Sequence, residues 1–365
     1  MKILGERDQL LKGIQTVGNI VSEKSLLPIL SNVVIEAVNG GIQLLATDLK
    51  TSIAHHMTID VLQEGAVTLP AKKLADIIRE MPDGKVELIV EEGYKARIFS
   101  GKTRFQILGF SKDDFPKLPS IEQGDQVTIP ANVLKKSIQS VVFAAAQDDT
   151  RFVLNGCLIT VAPHSMRMVA TDGHRLSWMT LEVKSSASWQ VIIPTKTLRE
   201  LANVLGDDDA PVTMTHGDNK LEFSFQHTRI VASLVEGQFP NVEDVLKRPY
   251  TFHVKFDSHA FSKSIKRVSL VALDKSNTVT FQFRHNQLTL IAQTPELGEA
   301  REEMEIQYDG PDASILLNYR YIVDAMKVIQ SERITFGLND AASAVCLIPE
   351  TPQEGCHIIM PIRSS

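Results

Sequence analysis

The stretch Gly41-Ile42-Gln43-Leu44-Leu45-Ala46-Thr47-Asp48 alternates apolar residues toward a polar end and returns 124 positions later as Ser165-Met166-Arg167-Met168-Val169-Ala170-Thr171-Asp172. A third, weaker copy is Gln287-Leu288-Thr289-Leu290-Ile291-Ala292-Gln293-Thr294, with Ala292 lying 122 positions beyond Ala170. Other markers keep the same spacing. The strand-like run ending at Pro70 returns at Pro194 and again, as Leu-Leu-Asn, at Asn318, each 124 apart. Phe115-Pro116 returns as Phe239-Pro240, also after 124. Several markers agreeing on one period mean that a unit of about 120 residues is used three times.

Each unit has the same contents. A short strand enters a helix (Asp8–Lys12, then NVLKKSIQSVVFAAA, then HAFSKSIKRVSLVA). Alternating strands follow, with turn signals such as Asn39-Gly40 and Gly217-Asp218-Asn219 between them. A second helix comes after the proline-marked strand: AKKLADIIREM, TKTLRELANVL and YRYIVDAMKVI. Further strands close the unit, among them KVELIV, KLEFSF and RITFGL. The expected fold is therefore α+β, three repeated domains of two helices on antiparallel sheet. Polar stretches at 121–126 and 246–249 place the boundaries at 1–124, 125–248 and 249–365.

Composition narrows the class. Of 365 residues, 43% are hydrophobic and 22% charged, which is globular. Glu6 and Arg7 interrupt the start before an apolar run could form, so no signal peptide is expected, and no apolar stretch is long enough to span a membrane. Cys157, Cys346 and Cys356 form no CxxC pair; they fit a reducing cytoplasm and neither a disulfide framework nor a zinc site.

The net charge of −6 argues at first against a polyanionic partner. Its distribution reverses that reading. Six helices are expected at 6–21, 71–81, 131–146, 195–205, 258–272 and 319–330, and together they carry 14 Lys and Arg against 6 Asp and Glu. The helices are thus at +8 and the rest of the chain at −14. In the fifth helix Phe261, Ile265, Val268 and Ala272 share one face, with Lys263, Lys266 and Arg267 opposite. In the second, Leu74, Ile77, Ile78 and Met81 face inward, with Lys72 and Arg79 opposite. One such helix would be an ordinary solvated surface; six together suggest sequence-independent contact with a nucleic-acid backbone.

Catalytic motifs are sparse. Gly101-Lys102-Thr103 lacks the glycine five positions earlier that a phosphate loop needs, Ala96 standing there, and continues as strand. His55 and His56 are adjacent in an alternating strand and point to opposite faces. Asp207, Asp208 and Asp209 read as a loop after a helix end. Thr171-Asp172-Gly173-His174-Arg175 is the one cluster with catalytic character, since an Asp–His pair can act as a general base. The first repeat keeps Asp48 without a histidine, which favours turn chemistry, and a groove lining is a third reading.

Taken together, these residues resemble the bacterial DNA polymerase III beta subunit family, the replicative sliding clamps. The resemblance spans the chain: Met1-Lys2-Ile3 with Arg7, Leu10, Leu11 and Lys12; Leu27-Pro28-Ile29-Leu30; Ala170 through Leu176; Gly237-x-Phe239-Pro240; and Met360-Pro361-Ile362-Arg363. It implies no catalysis, no cofactor and no metal. It implies a head-to-tail homodimer whose six domains encircle duplex DNA. Twelve helices about 10 Å apart give a circumference near 120 Å and an axis-to-axis diameter of about 38 Å. Subtracting one helix thickness leaves a channel of about 28 Å, wide enough for hydrated duplex.

The resemblance further implies a surface groove for short hydrophobic peptides of the polymerase alpha subunit, the clamp-loader delta subunit and repair proteins. Its walls would be Leu154, Thr171, Gly173, His174, Arg175, Leu176, Pro240, Val245, Ile358, Met360, Pro361, Ile362 and Arg363. His174 and Arg175 would rim an apolar trough. DNA-facing candidates are Lys24, Lys72, Lys73, Arg79, Lys135, Lys136, Lys196, Arg199, Lys263, Lys266 and Arg267. Phe105 and Ile107 would meet Leu270 and Val271 of a second copy. Three departures from the family pattern stand out: Asp244 where arginine is common, Asp148 where a neutral polar residue is usual, and the ending Arg363-Ser364-Ser365. On the residues alone two rivals stay open, an open three-domain nucleic-acid binder without ring closure and a hydrolase using Asp172 and His174.

Overall fold

The structure, a computed structural model, describes residues 1–21, 27–38, 40–147, 150–272, 277–350 and 355–362. Seven α-helices occur among them: α1 (Arg7–Gly18), α2 (Ala71–Glu80), α3 (Ala131–Val142), α4 (Thr195–Val204), α5 (Glu243–Leu246), α6 (Ser258–Ser269) and α7 (Tyr319–Val328). All but the short α5 are expected from periodicity. Pro70, Pro194 and Asn318 each stand immediately before a second helix, and Asn318 caps α7 by accepting the Arg320 N–H at 3.0 Å.

The first helix of each repeat ends earlier than its apolar pattern suggests. After α1, α3 and α6 the chain tightens into i→i+3 bonds, as in Val21 N–H to Gly18 O, Ala145 N–H to Val142 O and Ala272 N–H to Ser269 O. The apolar residues continue through this tighter turn, so hydrophobic spacing cannot mark the true end.

The chain folds as two compact units, Met1–Lys135 with Lys196–Leu234, and Lys136–Thr195 with Val235–Ser365. In the first, an eight-stranded sheet runs in the order Asp125–Pro130, Pro211–Gly217, Lys220–Phe225, Thr228–Ser233, Thr51–Met57, Gly41–Thr47, Asn32–Val38 and Gly65–Pro70. A five-stranded sheet beside it begins with Asp60–Gln63 and ends with Thr103–Leu108. In the second unit an eight-stranded sheet runs Trp189–Pro194, Gly156–Ala162, Ser165–Thr171, Arg175–Glu182, Gly355–Ile359, Val345–Pro349, Arg333–Leu338 and Phe252–Asp257. Its four-stranded companion ends with Gly298–Glu305.

Each long sheet is a fusion of two repeats, and the two fusions are built alike. Ile53 lies opposite Ile230 in the first seam, and Ser177 opposite His357 in the second. Ile53 and Ser177 are 124 apart, so the same strand of a repeat makes both seams. Inner faces bury apolar residues against the helices; in the third repeat Phe261 of α6 meets Phe256, Phe281 and Phe336 with ring centroids 4.6 to 6.5 Å apart.

Candidate functional site

The repeated Ala-Thr-Asp marker is a turn with its own chemistry. Thr171 Oγ1 donates to Arg175 O at 2.6 Å and accepts from Gly173 N–H at 3.0 Å. Asp172 Oδ1 accepts the backbone N–H groups of His174 and Arg175, both at 2.9 Å. The first repeat makes the same turn: Thr47 Oγ1 bonds Thr51 O and Leu49 N–H, and Asp48 Oδ1 accepts from Lys50 and Thr51. The turn needs a positive φ at its third residue, supplied by Gly173 at +90° and by Leu49 at +73°.

This geometry leaves no catalytic pair. Asp172 receives the backbone of His174, not its imidazole, and its second oxygen accepts from Arg175 Nε at 3.1 Å. The carboxylate is occupied by structure, and no base acts through it.

Arg175 turns inward. Its side chain is only 12% exposed; Nη1 donates to Asp324 of α7 at 2.9 Å and Nη2 to Phe143 O at 2.8 Å. The guanidinium also stacks over Tyr321, 4.6 Å from the ring centroid, and over Phe143 at 5.4 Å. Burial by itself would raise the pKa of Asp324; hydrogen bonds and charge from Arg175 and Lys327 outweigh it, so the carboxyl lies below its usual range. Arg175 thus ties the end of α3, the turn and α7 together. The partners Phe143, Tyr321 and Asp324 escape sequence reading, although the period offers a signal. In the first unit Thr51, 124 before Arg175, bonds Thr197, 124 before Tyr321, at 2.6 Å.

On the other side of the same strands lies an apolar cluster. Leu176 and Ile358 are cross-strand partners within it, together with Leu158, Val169, Phe239 and Val242. Val245, Leu246, Val153 and Trp178 pack against it half-buried. Met360 N–H donates to His174 O at 2.9 Å, which fixes the exposed Met360 beside the turn. Gly237 approaches Val153 so closely that a Cβ would lie 2.7 Å from its Cγ1, and this seats Phe239 in the cluster. Of the other expected wall residues, Leu154 is buried, Pro240 and His174 are exposed, and Pro361 and Ile362 are half-buried. Ile362 N–H is held by Leu316 O at 2.8 Å, and Arg363 falls outside the described residues. Val153, Val242 and Leu246 escape sequence reading because the single turn Phe152–Asn155 and α5 are both too short to show a period. Asp244 stands exposed in the first turn of α5.

The basic helix residues divide into two groups. Arg79 is paired with Asp76 at 2.7 Å, Lys135 with Asp207 at 2.8 Å, Lys196 with Asp48 at 2.6 Å, and Arg267 with Glu302. Lys73, Lys136, Lys263 and Lys266 are exposed with no carboxylate partner among the described residues. Lys72 is exposed, Arg199 half-buried, and Lys24 lies outside the described residues. The repeat also discloses positions not singled out from sequence. Lys12, Lys136 and Lys263 are each the sixth residue of a twelve-residue helix, and Lys72, Lys196 and Arg320 are each the second of a ten-residue helix.

The ends of the sheets complete the picture. Thr103–Leu108 exposes Phe105 and Leu108, with Ile107 half-buried. Leu270 is 70% exposed and Val271 half-buried. The segment around Gly101-Lys102 is a hairpin between strands Lys95–Ser100 and Thr103–Leu108, not a phosphate loop.

Family models for the DNA polymerase III beta subunit match the N-terminal domain over 1–119, the central domain over 128–241 and the C-terminal domain over 243–363. The chain belongs to the DNA polymerase III beta subunit family. Among curated members, the beta sliding clamp of Salmonella typhimurium is 30% identical over the whole of both chains. That of Pseudomonas aeruginosa is 32% identical over 98% of each. A solved beta subunit from Pseudomonas aeruginosa, bound to griselimycin, superposes with a TM-score of 0.94 at 31% identity over both full chains. A sliding clamp from Bacillus subtilis also gives 0.94, at 26% identity and full coverage of both chains. Within this family the chain has the three-domain α+β clamp fold, and no helix among its described residues is long and apolar enough to cross a membrane.

Proposed function

We propose that the chain is a DNA sliding clamp, a non-catalytic processivity factor that tethers the replicative polymerase to duplex DNA as a head-to-tail homodimer. The observation that carries this reading is the reuse of one seam. Inside the chain, the last strand of a repeat pairs with the strand after the Thr-Asp turn of the repeat before it, as Thr228–Ser233 does with Thr51–Met57. The counterparts left as sheet edges are Thr103–Leu108 of the first repeat and Gly298–Glu305 of the third. Each is the natural partner of the other in a second copy, and two such head-to-tail seams close a ring.

Edge chemistry supports this pairing. Lys102 and Arg104 border one edge, and Glu299, Glu303 and Glu305 the other, all exposed. Phe105, Ile107, Leu270 and Val271 supply the apolar contact. The domains are 1–124, 125–248 and 249–365. In the ring the exposed lysines of the helices face the duplex, and the ion-paired Arg79, Lys135, Lys196 and Arg267 contribute less to its field. A loose basic lining holds any sequence without strong contacts that would resist sliding. The groove over Leu176, Ile358 and Val245, bordered by His174, Pro240 and Met360, takes the hydrophobic peptides of polymerase, clamp loader and repair partners. The protein works in the cytoplasm, where its three buried cysteines stay thiols.

The test is retention on DNA after loading by the clamp loader. The clamp should remain on nicked circular DNA and run off once the circle is linearised. Equal retention on both forms would mean an open DNA binder.

A further inference from the structure

The seam between the second and third repeats has two faces. Leu176 and Ile358 point to the groove side, whereas Ser177 and His357, the next residues along the same strand pair, point toward α3. On that helix side lies a cavity of about 480 Å³, bounded by α3, the end of α7 and the seam strands. Val142, Met179 and Ile329 give it apolar walls, and the exposed Lys136 and Lys327 stand at its margin. No carboxylate lines it among the described residues. Lys327 is shared with Asp324 at 2.9 Å, and Lys136 has no such partner there.

One buried polar group also lines the cavity. His357 is 5% exposed, and its Nδ1 lies 2.7 Å from Ser177 Oγ. The single Ser177 hydroxyl hydrogen is committed to Ser140 O at 2.7 Å, because a carbonyl can only accept. Nδ1 must therefore carry the proton and donate to Ser177. Burial also lowers the pKa of His357 to about 4, so the ring is neutral at physiological pH. Its Nε2 is left with a lone pair and no partner among the described residues.

We propose that this cavity is a second ligand site, for a small aromatic organic anion bearing an N–H or O–H donor. The donor bonds His357 Nε2, the anionic group meets Lys136, and the aromatic body packs on Val142, Met179 and Ile329. The volume is that of a small-molecule site. The counterpart cavity in the first unit, about 510 Å³, has Lys12 and Thr16 at matching positions but is lined by His55, His56, His227 and Asp208, so a carboxylate stands in it. It serves as an internal control that differs in chemistry.

The probe is 8-anilinonaphthalene-1-sulfonate, which carries a sulfonate, an N–H and two aromatic groups, titrated into the intact dimer. One probe per chain should bind, read by the rise in the probe's own emission as it leaves water. Lys136→Gln, at an exposed position that tolerates change, should weaken binding roughly tenfold by removing one charge-assisted contact. Ser140→Phe should fill the cavity and abolish binding, with circular dichroism confirming the fold; if it unfolds, Lys136→Gln decides. A groove peptide with leucine and phenylalanine anchors should leave probe binding unchanged. Displacement by that peptide, or affinity within twofold of the parent for Lys136→Gln, would overturn the proposal. Failure of the peptide to bind would count against the groove and not against the cavity.

Discussion

Replacing Arg175 with lysine separates a rim charge from a structural bracket, because lysine keeps the charge and loses the fork. Three bonds leave the guanidinium, to Asp172 Oδ2 at 3.1 Å, Asp324 Oδ2 at 2.9 Å and Phe143 O at 2.8 Å. A lysine ammonium at this reach replaces about one of them. Two charged hydrogen bonds at about 1.5 kcal/mol or more each, with about 0.5–1 kcal/mol of stacking on Tyr321 and Phe143, give a gross loss of about 4 kcal/mol. Asp324 has a 32% exposed side chain and keeps Lys327, so water recovers part of this. The expected net loss is about 2–3 kcal/mol. Both tryptophans, Trp178 and Trp189, lie in the second compact unit, so urea unfolding followed by tryptophan fluorescence reads that unit alone. The Asp324 carboxyl should also titrate closer to its ordinary range by carbon-13 NMR. Unfolding within about 0.5 kcal/mol of the parent, together with weakened peptide binding, would refute the bracket and restore Arg175 to the rim.

Three further outcomes follow from the same structure. Leu270→Asp should convert the dimer to monomers by light scattering, since it forfeits about 1.5–3 kcal/mol of burial per seam and buries a charge besides; a mass still at dimer would remove Leu270 from the seam. Leu49→Gly should stabilise the first unit by roughly 0.5–1 kcal/mol by relieving a left-handed leucine, and a loss of stability in calorimetry would contradict the strain assigned there. His357, with its pKa depressed by burial from 6.5 to about 4, contributes stability that is full above pH 6.5 and falls as the pH drops toward 4. The loss is about 1.4 kcal/mol per pH unit across that window, so His357→Asn should flatten the acid limb of fluorescence-detected stability; an unchanged slope would mean the imidazole is not held neutral.

Much of the molecule is legible in the chain because the deciding signals are local. The helices around Leu74 and Phe261 and the Thr-Asp turns at 47–51 and 171–175 depend on residues a few positions apart, and the 124-residue period is the recurrence of such local patterns. Turn chemistry explains why Thr and Asp recur while the third position drifts from Leu49 to Gly173. Even the helix ends were misread for a local reason, since Ala144–Ala146 continue the apolar pattern through a tighter turn.

What only tertiary structure decided is where long side chains spend their charge. Lys135 meets Asp207, 72 residues away, and Lys196 meets Asp48, 148 away. Helical phase places each lysine on the outer face but cannot tell which of them a distant carboxylate already holds. Arg175 is the clearest instance: the resemblance points it to a groove, and folding brings Asp324 and the Phe143 carbonyl to the other side of its strand. The sequence by itself determined the repeat, the element types and the basic bias of the helices. The seams between repeats, the edges left unpaired and the set of uncompensated lysines came from long-range strand pairing, which sets distances that no local pattern encodes.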